Sequence, residues 1–149
     1  MSLVKDSEKS TFFDDVDAAA KKAIWSAIAT VADGEPRVRM VHPTWEGDVL
    51  WFATGPTTPK ALQIDAQPVV DMQFQVAPPD FIHLLVRGSA TIHADQETKQ
   101  HAWDVIDYDL AQFWPEGVTS KEFVAIKIIP DRVELSEMFG TVNKRVWRR

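Results

Sequence analysis

The sequence predicts a mainly β domain, a six-stranded antiparallel barrel with helical inserts. Three observations lead there. Short extended runs recur along the chain, separated by turn signals such as Asp33-Gly34 and Glu46-Gly47-Asp48. Only three segments have helical spacing, and they do not alternate with strands as a βαβ sheet requires. The 149 residues suit a single domain, 1–149, with no internal repeat or linker.

Residues 1–10 are polar and are expected to form a loose tail. Ser10 or Thr11 is suited to cap a helix whose first turn carries Asp14 and Asp15, where carboxylates complement the helix dipole. Val16, Ala19, Ala20, Ala23, Ile24 and Ala27 extend it as one apolar stripe. A strand over Ala27–Val31, the Asp33-Gly34 turn and a strand over Arg37–Val41 come next. Val49–Thr54 is apolar enough to be a central strand. Gly55–Pro59 is a loop, and Pro59 opens a short helix through Asp65. Val69–Val76 and the long run Phe81–His93 are strands, the second interrupted by Gly88, which marks a bulge or bend. A further helix fits from Asp95 or Gln96 to Ile106, with Trp103 and Ile106 on one face. Asp109–Val118 is irregular. Phe123–Ile129 and Arg132–Leu135 close the pattern as a hairpin around Pro130-Asp131.

Composition narrows the function classes. Hydrophobic residues make up 45% and charged residues 26%, as in a globular protein in water. No cysteine is present, which removes disulfides, thiolate catalysis and Cys-ligated metals. The net charge of -6 and the lack of a basic run before Lys144–Arg149 argue against nucleic acid as the main partner. That basic end reads as a solvated tail or a dimer contact. No stretch approaches the roughly 20 apolar residues of a membrane helix. The charged start, with Lys5, Asp6, Glu8 and Lys9, is unlike a secretory signal, so the cytoplasm is the expected compartment. His42, His83, His93 and His101 form no metal-binding spacing, and no metal is expected. The GxSxG, Walker A and GxGxxG patterns are also absent, and no residue is assigned as catalytic.

What remains is a set of groups able to hold phosphate. Arg37 and Arg39 are two apart on one expected strand and leave the same face. Lys60 follows Pro59 at a helix start, with Thr57 and Thr58 just before it. Helix-start N–H groups, two hydroxyls and an ammonium form a cradle for a dianion, which a guanidinium would complete. Taken alone, the same residues read first as solvent-facing strand charges and a helix cap.

The segment Ala29-Thr30-Val31-Ala32-Asp33-Gly34-Glu35-Pro36-Arg37-Val38-Arg39-Met40 resembles the opening hairpin of the pyridoxamine 5′-phosphate oxidase-like FMN-binding split barrels. Trp51-Phe52-Ala53-Thr54, the six-residue step from Thr54 to Lys60, and Val69–Phe74 follow in that family's order. Arg87-Gly88-Ser89-Ala90 is similar to a later barrel strand with its G-x-A signature. The stretch from Trp103 to Trp114-Pro115-Glu116-Gly117 resembles the general stress protein branch. The resemblance spans about residues 16–136 and implies a homodimer with FMN in a groove between subunits. Arg39, Thr58 and Lys60 would bind the phosphate, with Arg37 beside them. Ala53 and Thr54 would line the ribityl chain, and the strand through Met40 and Val41 would run along the ring. His83 stands where related oxidases have a flavin-contacting glutamine, and Trp114 would close the site from the second subunit. The C-terminal region that grips a vitamin B6 substrate has no convincing counterpart.

These readings imply an FMN-dependent oxidoreductase or stress-related flavoprotein acting on an unidentified small redox substrate. Deazaflavin or haem in the same barrel is an alternative, with His83 or His101 as haem ligand. A non-enzymatic flavin-binding dimer is another. With 6 tryptophans and 8 phenylalanines, the chain has aromatic surface for an obligate interface.

Overall fold

The computed structural model describes residues 1–149. In chain order the elements are β1 (Ser2–Leu3), α1 (Lys9–Ala23), β2 (Ser26–Ala32), β3 (Glu35–Val41), β4 (Thr44–Glu46), β5 (Val49–Thr54), α2 (Pro59–Ala66), β6 (Val69–Gln75), β7 (Ile82–His93), α3 (Gln96–Val105), β8 (Val124–Glu137) and β9 (Val142–Arg148). The strands form one open sheet in the order β1-β9-β8-β7-β6-β2-β3, and β5, flanked by β4, also pairs with β8. Every pairing is antiparallel except β1 with β9. This is the expected mainly β fold with helical inserts, its six expected strands supplemented by β1, β4 and β9.

Alternation decides which face is covered. Along β6, Val70, Met72 and Phe74 are buried while Val69, Asp71, Gln73 and Gln75 are exposed. Helix α1 lays Phe12, Phe13, Val16, Ala19 and Ala20 over this apolar face. Phe13 meets the Trp147 ring edge-on at 5.0 Å, which ties the first helix to the last strand. A smaller cluster lies under α3, where Trp51, Ala102, Ile106, Leu110, Phe123 and Ala125 are buried together.

Four expectations change. First, α1 ends at Ala23, because Ile24 takes a positive φ (68°, with ψ -57°) and turns the chain out of the helix. Ile24 and Ala27 therefore leave the helical stripe, and Ala27 belongs to β2. Second, neither Ser10 nor Thr11 caps α1. A short turn at Asp6–Glu8 runs into it, and the Glu8 carboxylate accepts from the Lys5 N–H at 2.9 Å. Third, the first residues are not loose, since Ser2 and Leu3 pair with Arg145 and Val146. The basic end is thus β9, with Val146 and Trp147 buried. Fourth, Pro130-Asp131 makes no hairpin.

The segment Val124–Glu137 is one strand along β7, with a register shift opposite Arg87 and Gly88. Gly88 pairs with Pro130 and Arg87 with Arg132, leaving Asp131 as the bulged residue. Proline has no N–H to lose from the ladder, so a bulge accommodates it. Beyond this bend β8 exchanges one neighbour for another: Val124–Ile128 pairs with β5 and Arg132–Glu137 with β9.

On that second half Glu134 is 5% exposed, yet it is charged. Arg132 and Lys144 reach its carboxylate at 3.0 and 2.8 Å. Burial pushes the Glu134 pKa up, but hydrogen bonds from Lys144 and Arg132 and their charges outweigh it and leave it lowered. A carboxyl with a depressed folded pKa contributes stability above its unfolded pKa and loses it as pH falls through the folded value. Unfolding in denaturant should therefore become easier as pH drops below the ordinary carboxylate range, and Glu134→Gln should flatten that response.

Candidate functional site

Helix α2 begins where the expected cradle lies. Thr58 is its N-cap, and Pro59 occupies the first turn with a pre-set φ. The Thr58 Oγ1 donates to the Gly55 carbonyl (3.1 Å), accepts from the Ala61 N–H (3.4 Å) and lies 3.0 Å from Thr54 Oγ1. This knot fixes the turn between β5 and α2. Proline supplies no N–H and that of Ala61 is taken, so the Lys60 N–H is the first-turn donor without an acceptor. The Thr30 hydroxyl donates to Gln63 Oε1 at 2.6 Å and ties α2 to β2.

Strand β3 supplies the other wall. It is an edge strand, paired only with β2. Arg37 and Arg39 are half-buried and alternate with exposed Val38 and Met40, as the two-residue period requires. Their fates then diverge. Arg37 Nη1 donates to Glu35 Oε2 at 3.1 Å and to the Pro36 carbonyl at 3.2 Å. Arg39 Nη1 is buried and has no partner. Burial, and then the nearby Arg39 charge, hold the Lys60 pKa below the usual lysine range. Two cations thus face one another with no carboxylate between them. Such an arrangement costs free energy until an anion enters.

The other expected residues divide. Thr54 joins Thr58 in the knot, and Ala53 on β5 packs against the α3 cluster. Trp114 packs on that same cluster, its indole N–H donating to the Glu122 carbonyl at 2.8 Å. Val41 is buried at the end of β3 and Met40 is 61% exposed. His83 lies on β7 opposite Ser136 and Gln75, with Nδ1 2.7 Å from Gln75 Oε1. No group of three or more His, Asp or Glu side chains is placed to hold a metal ion.

One feature escaped the sequence. His42, directly after β3, stacks on Tyr108 with centroids 4.1 Å apart at 14°, and Trp25 meets it edge-on at 5.0 Å. Burial, with Asp107 adding to it, pushes the Tyr108 hydroxyl up to about 12. With Val38, Met40 and Phe113 (69%, 61% and 63% exposed), these rings give an apolar strip along the β3 edge. The signal was present in Val38 and Met40 alternating with arginines, but the contacts of Tyr108 are non-local.

Fold and cradle together define the class: a small split-barrel domain with two cations, Arg39 and Lys60, set side by side at its edge strand. The pyridoxamine 5′-phosphate oxidase family model matches residues 12–137, and the chain belongs to that family. Among solved structures, a Clostridium acetobutylicum protein related to general stress protein 26 is similar at 15% identity (TM-score 0.74), covering 93% of this chain and 95% of that one. A pyridoxamine 5′-phosphate oxidase-related, FMN binding protein from Nostoc punctiforme is 19% identical (TM-score 0.61; 83% and 82% covered). An F420 reductase is 25% identical (TM-score 0.60; 78% and 94% covered). No curated protein matches the chain.

Proposed function

We propose that this chain is an FMN-binding flavoprotein of the cytoplasm, a homodimer acting as a flavin-dependent oxidoreductase on a small molecule. The observation that carries the reading is the Arg39–Lys60 pair, a half-buried guanidinium whose Nη1 is buried without a partner, beside a half-buried ammonium. A phosphate monoester dianion satisfies both, and the Lys60 N–H at the α2 start adds a third donor. Thr58 would join by turning its hydroxyl proton from Gly55 to the phosphate. Ala53 and Thr54 would line the ribityl chain, and β3 from Arg37 through Met40 and Val41 would flank the ring. His83 and Trp114 are proposed contacts at the ring end, Trp114 from the second subunit. Bound FMN would supply electron transfer, while the chain's residues orient it and exclude water. The exposed strip at Val38, Met40 and Phe113 supports the dimer, because covering it removes apolar surface from water at the β3 edge.

The test is the visible spectrum of the purified protein, with acid release and chromatography of any coloured ligand and light scattering for mass. FMN near one per subunit on a dimer supports the reading. A colourless protein that refuses added FMN refutes it, as does release of haem or a deazaflavin instead.

A further inference from the structure

A cavity of about 800 Å³ lies away from the α2 cradle, between α1 and the ends of β7, β8 and β9. Its size is that of a small-molecule site. Ala18, Ala19, Ile82 and Leu135 give it an apolar floor, and Lys22, Lys144 and Arg145 stand around it with Asp15 and Glu137.

Each of these cations meets one carboxylate and keeps further donors. Arg145 gives one nitrogen, Nη1, to Asp15 at 3.0 Å, and the rest of its guanidinium donors meet no side-chain acceptor. Its guanidinium carbon lies 5.4 Å from the Phe12 ring centroid, which holds the fork in place. Lys144 contacts Glu134, and Lys22 contacts Asp80, each through one of three ammonium protons. Ser136, which also lines the cavity, is 2% exposed, and its Oγ has no hydrogen-bond partner. A buried hydroxyl without a partner is costly unless something supplies one. In a chain of net charge -6, three cations converge on this one cavity.

We propose that this cavity is a second small-molecule site, for a ligand with an apolar body and one anionic group. The body covers Ala18, Ala19, Ile82 and Leu135. The anion takes the free Arg145 donors, with Lys22 and Lys144 completing the charge. The site is independent of flavin.

The probe is 8-anilinonaphthalene-1-sulfonate, an aryl sulfonate, titrated by fluorescence with and without FMN. Its neutral analogue N-phenyl-1-naphthylamine is the control for the anion. One saturable site per chain is expected, unaffected by FMN, with the sulfonate binding about tenfold more tightly than the neutral dye. Arg145→Gln should remove that preference. Ala18→Phe, on an exposed helix position, should abolish binding by filling the floor without touching the core. Loss in Ala18→Phe with unchanged melting and FMN retention supports the site. Equal binding of the two dyes, or sulfonate binding untouched by both substitutions, overturns it. So does competition by FMN.

Discussion

Arg39→Gln is expected to strip FMN from the protein on gel filtration while leaving the fold intact. The substitution removes the one guanidinium that β3 buries without a partner. A hydrogen bond to a charged group contributes about 1.5–3 kcal/mol, which corresponds to an affinity loss of about 10- to 150-fold. The apo protein should respond in the opposite sense. Loss of a cation beside Lys60 relieves a repulsion, so the ligand-free melting temperature should stay level or rise. Arg39→Lys keeps the charge but not the fork and should fall between the two. Arg37→Gln is the internal comparison, because Arg37 is already held by Glu35 and should matter less. Titration of flavin fluorescence quenching measures each case. Wild-type affinity in Arg39→Gln would remove the cradle from the site.

The second large effect concerns stability. A Cβ at Gly88 would lie 2.5 Å from the Ile129 carbonyl oxygen and 2.8 Å from Pro130 Cα. Both are backbone atoms of β8 at the bulge, so no side chain can swing aside. Gly88→Ala should cost about 2–3 kcal/mol through forced separation of β7 from β8. For a chain of this size the melting temperature should fall by roughly 5–10 °C, read by circular dichroism. A shift under about 2 °C would mean that β8 moves away freely. The glycine serves close approach of backbones rather than an unusual φ.

What the sequence made legible follows from the range of the interactions. Asp33-Gly34 turns β2 into β3 with both residues at positive φ, 53° and 77°, a conformation encoded by the two residues themselves. Thr58-Pro59 starts α2 for an equally local reason, and the alternation of Val69–Gln75 declares its buried face. Pro130-Asp131 misled because the dipeptide carries a turn signal. Here the surroundings overrule it: β7 runs past without a break, and Arg149 donates to the Pro130 carbonyl at 2.8 Å and through its N–H to the Asp131 carbonyl at 3.0 Å. Residues 1–10 are polar in sequence, yet Ser2–Val4 is held by β9, more than 130 residues away.

The candidate site divides along the same line. The residue types, the helix start and the shared face of Arg37 and Arg39 belong to the sequence, being set by spacing of two to four residues. In sequence the two arginines look alike. Arg37 keeps its strand neighbour Glu35, a local contact, but only the tertiary structure sets Arg39 beside Lys60 and buries its Nη1 without a partner. The cavity between α1 and β9 and the partner exchange along β8 are likewise tertiary, since each depends on surfaces brought together from opposite ends of the chain. Local propensity specified the elements, while burial and long-range pairing decided which charges were left wanting a partner.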